Sequence, residues 1–262
     1  MIRVLYHANC YDGFGAAWAA WKALGDTAEY HPIAYGDPPP PLLNHDQGKL
    51  YLLDFSFPRA TLEALAKEFQ LCVLDHHKTA AEDLAELPYA TFDLKKSGAV
   101  LAWEHFHSTP PPWFVLYLQD RDLWTFELPD SREVSAALRS WPMDFAVWDR
   151  LAQELDRLAA DGVAILRFQQ SIVQTMCNQS WMEYLGGHLV PVANATAFFS
   201  EVGERLCEMY PNAPFAAYYL DRADGKRQWG LRSRGTFDVS GVAKSLGGGG
   251  HPGAAGFLTE RR

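Results

Sequence analysis

Residues 71–78, Leu-Cys-Val-Leu-Asp-His-His-Lys, constrain the fold of this chain more than any other stretch. Four apolar residues rich in strand formers run directly into Asp75, His76 and His77. An uninterrupted apolar run of this kind marks a strand buried on both faces, as in parallel sheets. Open α/β sheets bind their ligands just beyond the carboxyl ends of such strands. Two earlier segments repeat the pattern: residues 2–6 lead into His7 and then Asp12-Gly13, and residues 50–53 lead into Asp54. Any one of these polar residues alone would read as a helix cap or a surface group. At the ends of three consecutive strands they supply the imidazoles and carboxylates that hard and borderline divalent metals take.

The connections support an α/β fold. Residues 13–24 read as a helix crowded with small residues, which permits close backbone approach beside His7 and Asp12. The proline-rich residues 37–41 are a surface loop. Residues 58–69 place Leu62, Leu65, Ala66 and Phe69 at helical spacing, with Pro58 in the first turn. This alternation predicts right-handed crossovers and a parallel sheet. Helices are expected over 97–107, where Ser97 either caps the helix or faces the site, and over 113–124, which carries Asp120 and Asp122.

Apolar residues at three and four spacings from 143 to 182 predict one or two long helices and a domain boundary. Beyond residue 186, strands are expected at 189–193, 214–220 and 228–232, with a turn at 223–226. A helix over 238–246 capped by Asp238 follows, and then the run Gly247-Gly248-Gly249-Gly250-His251. The expected organisation is a parallel-sheet domain over 1–142, a helical linker over 143–185 and a smaller α+β domain over 186–262.

Charge narrows the partners. With 32 acidic against 23 basic residues, the chain carries a net charge of −9. Long duplex DNA is a poor partner, because phosphate neutralisation drives that binding. A short anionic substrate needs only local positive charge. The four cysteines show no paired spacing of the zinc or disulfide kind, which suggests reduced thiols. No apolar stretch is of spanning length and none resembles a signal peptide, so a cytoplasmic protein without membrane contact is expected. The oligomeric state is not legible.

His7, Asp12, Asp54, His76 and one of Asp120 and Asp122 form the first constellation. A pair of divalent ions about 3.5–4 Å apart needs a bridging carboxylate, further carboxylates and one or two imidazoles. Asp54, alone at a central strand end, is the natural bridge, and His77 is then free to face a phosphate. The glycine run with His251, Arg232 and Arg234 forms the second, because consecutive glycines let backbone N–H groups cradle an anion. The nine tryptophans fall mostly among aliphatics at helical spacing, and none is assigned to substrate.

Taken in order, His7…Asp12-Gly13, Asp54, Asp75-His76-His77, Asp120/Asp122 and the Gly-Gly-Gly-His251…Ala254-Ala255-Gly256 segment resemble the motifs of the DHH phosphoesterase superfamily. The glycine motif resembles that of the DHH-associated C-terminal domain, as in the nanoRNase and pAp-phosphatase branch. The resemblance covers nearly the whole chain. It implies a manganese-dependent phosphoesterase with its active site in the cleft between two domains, magnesium or cobalt being substitutes. By that resemblance His7, Asp12, Asp54, His76 and Asp120 hold one or two ions, Asp75 supports the histidines, and His77 contacts the scissile phosphate. Arg232, Ser233, Gly248, Gly249, Gly250 and His251 would hold the remaining phosphate or terminal nucleotide.

The chain departs from the family twice. His7-Ala8-Asn9-Cys10-Tyr11-Asp12-Gly13 has one residue more and one carboxylate fewer than the usual His-x-Asp-x-Asp-Gly, so Asn9 and Cys10 stand where a ligand is expected. A thiol here would be acidified if a metal lay near. Asp120-Arg121-Asp122 leaves Asp122 as an alternative ligand. The expected activity is hydrolysis of phosphodiester or phosphomonoester bonds in very short oligonucleotides, as by a 3′→5′ exonuclease, or in 3′,5′-bisphosphonucleotides. The alternatives are a cyclic-dinucleotide or polyphosphate hydrolase, or a nucleotide sensor with a decayed metal site.

Overall fold

The computed structural model of the chain describes residues 1–41 and 48–261. It divides into two compact units, Met1–Leu166 and Arg167–Arg262.

The first unit begins with β1 (Ile2–His7), α1 (Tyr11–Leu24), β2 (Ala28–Ile33), β3 (Lys49–Leu53), α2 (Arg59–Leu65) and β4 (Gln70–Asp75). It continues through α3 (Lys78–Leu84), β5 (Ala90–Phe92), α4 (Gly98–Phe106), α5 (Trp113–Asp122), α6 (Ser131–Leu138) and α7 (Phe145–Leu151). All five strands pair in parallel in the order β2-β1-β3-β4-β5. Alternate strand residues feed two cores. Val4, Leu53 and Leu74 pack with α1, α4 and α5 on one face. Leu5, Leu52 and Val73 pack with Leu62, Leu65 and Leu84 on the other. Burial of both faces is why these strands read as continuous apolar runs. The chain passes from β1 outward to β2 and then returns to β3 on β1's other side. The carboxyl ends of β1 and β3 therefore flank the crevice where such sheets bind ligands.

Ser97 resolves as the cap of α4, its hydroxyl accepting from the Val100 amide at 3.3 Å. Strands β2 and β5 had no clear signal, since β2 contains Pro32 at a sheet edge and β5 has three residues without a buried one.

The helical stretch expected over 143–182 is two helices, α7 and α8 (Leu155–Cys177), and the unit division falls inside α8. Met182 is instead in β6 (Trp181–Leu185), an edge strand of the second sheet with no fully buried residue. A strand that buries neither face carries no alternation to read. The second unit adds β7 (His188–Asn194), α9 (Phe199–Met209), β8 (Ala216–Asp221), β9 (Lys226–Arg232), α10 (Val239–Ser245), β10 (Gly249–His251) and β11 (Ala254–Glu260). Its sheet runs β10-β11-β9-β8-β7-β6, with only β7 and β8 parallel, joined by α9. Asp238 caps α10, accepting from the Ser240 amide at 2.9 Å. Among the described residues no helix is long and apolar enough to cross a membrane.

Candidate metal centre

Asp54 is the centre of the site. It follows β3 directly, is 1% exposed, and holds φ at 55°, a left-handed conformation uncommon outside glycine. Its amide donates to the Leu74 carbonyl at 2.9 Å, which ties the bend to the neighbouring strand. Gly98 at the start of α4 packs against it so closely that a Cβ there would lie 2.4 Å from the Asp54 Cβ. Asp54 Oδ2 lies 3.3 Å from His7 Nδ1, and Oδ1 lies 3.0 Å from His76 Nε2. Its two oxygens thus face two different groups of side chains.

The group around His76 is acidic and, apart from the half-buried Asp122, buried. Nε2 lies 3.5 Å from Asp122 Oδ2 and 3.8 Å from Asp12 Oδ2. Asp12 stands in the first turn of α1 and reaches the start of α4, accepting from the Gly98 amide at 2.5 Å and the Ala99 amide at 3.0 Å. Gly13 lets α1 start this close to β1, since a Cβ there would meet the His7 carbonyl oxygen at 2.4 Å. Burial, followed by the charges of Asp122 and Asp54, pushes the Asp12 carboxyl well up. Burial works against ionisation of Asp54 too, but the adjoining His7 and His76 imidazoles hold it well below the usual range. Burial disfavours the charged form of His76, yet the adjoining Asp54 carboxylate and the Asp122 and Asp12 charges push it up to about 10. One ligand atom each from Asp12, His76 and Asp122 lies within 4.8 Å of the others, and the same holds for His7, Asp54 and His77.

Asp75, 0% exposed, is a support. It accepts from Ser56 Oγ at 3.0 Å, from the His76 amide at 2.7 Å and from the His77 amide at 3.2 Å. Its Oδ1 also lies 2.7 Å from His77 Nδ1. That contact fixes the ring and, against the effect of burial, raises the His77 pKa. Tyr35, just after β2, places its hydroxyl 3.3 Å from the same nitrogen and its ring edge-on to His7 at 4.9 Å. Sequence reasoning missed Tyr35 and Ser56. Tyr35 belongs to an unrecognised strand end, and Ser56 stands two residues beyond Asp54.

The alternative at the end of α5 resolves in favour of Asp122 as the residue beside His76. Asp120 turns away to hold the loop that follows. Its carboxylate accepts from Thr125 Oγ1 at 2.6 Å, the Glu127 amide at 2.8 Å and the Leu128 amide at 3.2 Å. The added residue of the opening motif is taken up by Asn9, exposed in a turn at φ 55°, a conformation asparagine tolerates well. Cys10 is the N-cap residue of α1, though its side chain makes no cap bond. Burial and then the Asp54, Asp122 and Asp12 charges push its thiol well up.

In the second unit Arg232 ends β9 next to β11, pairing in register with Ala254, and Ser233 follows it. Ser233 is occupied internally: its hydroxyl donates to the Phe237 carbonyl at 2.6 Å and its amide to the Gly253 carbonyl at 3.0 Å. The glycine run is not an open loop. The Gly247 and Gly248 amides close α10, donating to the Lys244 and Ala243 carbonyls at 3.1 and 2.8 Å. Gly249, Gly250 and His251 pair with Gly256, Ala255 and Ala254 as an antiparallel edge strand. A Cβ on Gly248 would lie 2.0 Å from the Gly256 carbonyl oxygen, and one on Gly250 would lie 2.6 Å from that of Ala254. Close packing therefore accounts for these two glycines. Arg234 pairs with Glu208 at 3.2 Å.

No protein-family model matches the chain. It is 30% identical to an uncharacterized protein of Acanthamoeba polyphaga mimivirus, over 97% of this chain. The match covers 66% of that relative, just under two thirds of its length. The DHH domain of a member of a ribosomal-protein family superposes with a TM-score of 0.62 at 13% identity, covering 99% of this chain and 83% of that one. RecJ from Thermus thermophilus, solved in complex with Mn²⁺, gives 0.53 at 19% identity over 99% of this chain and 49% of RecJ. An exopolyphosphatase-related protein from Bacteroides fragilis gives 0.54 at 11% identity, covering 98% and 86%. The chain shares its fold with these three structures, a DHH domain among them.

Proposed function

We propose that the chain is a metal-dependent phosphoesterase that holds one or two divalent ions, manganese first among them. The observation that carries this reading is the position of Asp54, with one oxygen toward His7 and the other toward His76. Its donor chemistry fits a metal: Oδ1 is buried and, among the described residues, accepts no well-aligned hydrogen bond. Four carboxylates, Asp12, Asp54, Asp75 and Asp122, are also gathered with three imidazoles, the oxygen and nitrogen donors that divalent cations take. Asp12, Asp54, His76 and Asp122 would form the tighter site. His7 and Asp54 would form a weaker one with fewer carboxylates, as the loss of an acidic residue at Asn9-Cys10 suggests.

Bound ions would lower the pKa of a coordinated water and neutralise phosphoryl oxygens. Asp75 holds the His77 ring at Nδ1 and favours its protonated form, leaving Nε2 to carry a proton to the phosphoryl or leaving oxygen. Arg232 and His251 of the second unit are the candidates for holding another phosphate of the substrate, while Ser233 and the glycines shape the strand ends around them. The substrate class that fits is a short oligonucleotide or a 3′,5′-bisphosphonucleotide.

The test is incubation with Mn²⁺ and a panel of dinucleotides, adenosine 3′,5′-bisphosphate, cyclic dinucleotides and polyphosphate. Turnover of the first two, abolished by EDTA and restored by Mn²⁺, is expected. Preferred turnover of polyphosphate or cyclic dinucleotides would reassign the substrate. Tight binding without turnover would make the protein a sensor.

A further inference from the structure

Seven tryptophans precede residue 167, and six of them (Trp18, Trp21, Trp103, Trp113, Trp141 and Trp148) pack into or against one core. Trp124 belongs to neither core of the unit, and nor does Phe126. Both are half-buried, and both hold left-handed backbone, φ 61° and 51°, which is an outlier for bulky aromatic residues. Such strain persists only where the surroundings over-determine it, and it gathers at ligand clamps. Here Asp120 supplies the constraint. Its carbonyl accepts from the Thr125 amide at 3.0 Å and the Phe126 amide at 3.4 Å, while its carboxylate takes the next two amides. The two rings meet edge to face at 5.0 Å. The Arg121 guanidinium lies over Trp124 at 4.2 Å, and that of Arg132 lies over Phe126 at 3.8 Å.

We propose that Trp124 and Phe126, with Arg121 and Arg132 stacked on them, form a nucleobase-stacking subsite beside the metal centre. This rests on the phosphoesterase reading and narrows its substrate to a nucleotide. Trp124 follows Asp122 by two residues, a chain reach of at most about 7 Å, and Asp122 lies 3.5 Å from His76. A base held there adjoins the phosphate at the centre. Aromatic and guanidinium planes accept any base through its π-face, and the arginine charge suits the attached phosphate. An inorganic polyphosphate has nothing to stack.

The measurement is calorimetric titration of the full chain with Mn²⁺, using a phosphorothioate-linked ApA dinucleotide and, separately, inorganic tripolyphosphate. Trp124→Leu is expected to weaken dinucleotide binding by about tenfold or more relative to tripolyphosphate, and Trp124→Phe to restore most of the loss. Should Trp124→Leu fail to fold, Arg132→Gln lowers the same ratio by a smaller factor. A ratio unchanged in folded variants, or binding of neither probe to the wild type, overturns the subsite. Wild-type hydrolysis with an unchanged ratio would sink the subsite and spare the phosphoesterase reading. A lowered ratio in a wild-type protein that hydrolyses no phosphoester would do the reverse.

Discussion

The ends of β1, β3 and β4 and the edge formed by β10 and β11 both begin as short motifs of unusual residues, yet the fold uses them differently. At the first, side chains converge: Asp12, Asp54, His76 and Asp122 turn their polar atoms toward one another in a buried space. At the second, the distinguishing glycines have no side chains: the Gly247 and Gly248 amides close α10, and Gly249 and Gly250 lie in a closely packed strand pair. A polar residue buried at a strand end has to be satisfied by other polar groups or by a ligand. A glycine can be satisfied by packing alone. The first motif therefore points to chemistry more directly than the second.

The largest effect should come from Asp54→Asn. Loss of several kcal/mol of metal-derived stabilisation corresponds to about 10³-fold or more in Mn²⁺-dependent hydrolysis. Metal content by mass spectrometry should fall with it. Retention of two tight ions in this variant would end the bridging role.

Next come the variants that separate ligands from supports. His77→Ala should lower kcat by about 10²–10⁴-fold with metal retained, whereas His76→Ala and Asp122→Asn should lose metal. Asp120→Asn should keep its metal and instead lower thermal stability, by about 1–3 kcal/mol for weakened loop bonds. Equal metal loss from Asp120→Asn and Asp122→Asn would undo the distinction drawn at α5.

Glycine substitutions address the contrast directly. Gly98→Ala and Gly248→Ala should each destabilise by about 1–3 kcal/mol or more through overpacking. Only Gly98→Ala should also release metal, because the methyl group pushes on Asp54. A Gly248→Ala protein with wild-type melting temperature but lost nucleotide binding would make the glycine run an anion cradle after all.

The smallest expected effect is one of pH. The His76 pKa is raised to about 10 in the metal-free chain, so at neutral pH a proton occupies the nitrogen a metal would take. Metal binding must displace it, and Mn²⁺ affinity should therefore rise with pH up to about 10. Calorimetry near neutral pH in two buffers of different ionisation enthalpy should register proton release. Absence of release would mean that His76 is not a ligand.

The alternation of apolar strands and helices settled the parallel sheet, because burial on both faces leaves an unbroken apolar run that local sequence displays. His7, Asp54 and Asp75-His76-His77 were legible for the same reason: each stands where such a run stops. Strands β2, β5 and β6 were not, since edge strands that bury little carry no period. The choice between Asp120 and Asp122 was also hidden. Both occupy the last turn of α5, and only the path of the following loop spends the first on backbone amides and turns the second toward His76. Trp124 looked like six other tryptophans until packing excluded it from the core. Which residue types gather at the strand ends was written in the chain; which oxygen faces which nitrogen depended on where distant helices and loops came to rest.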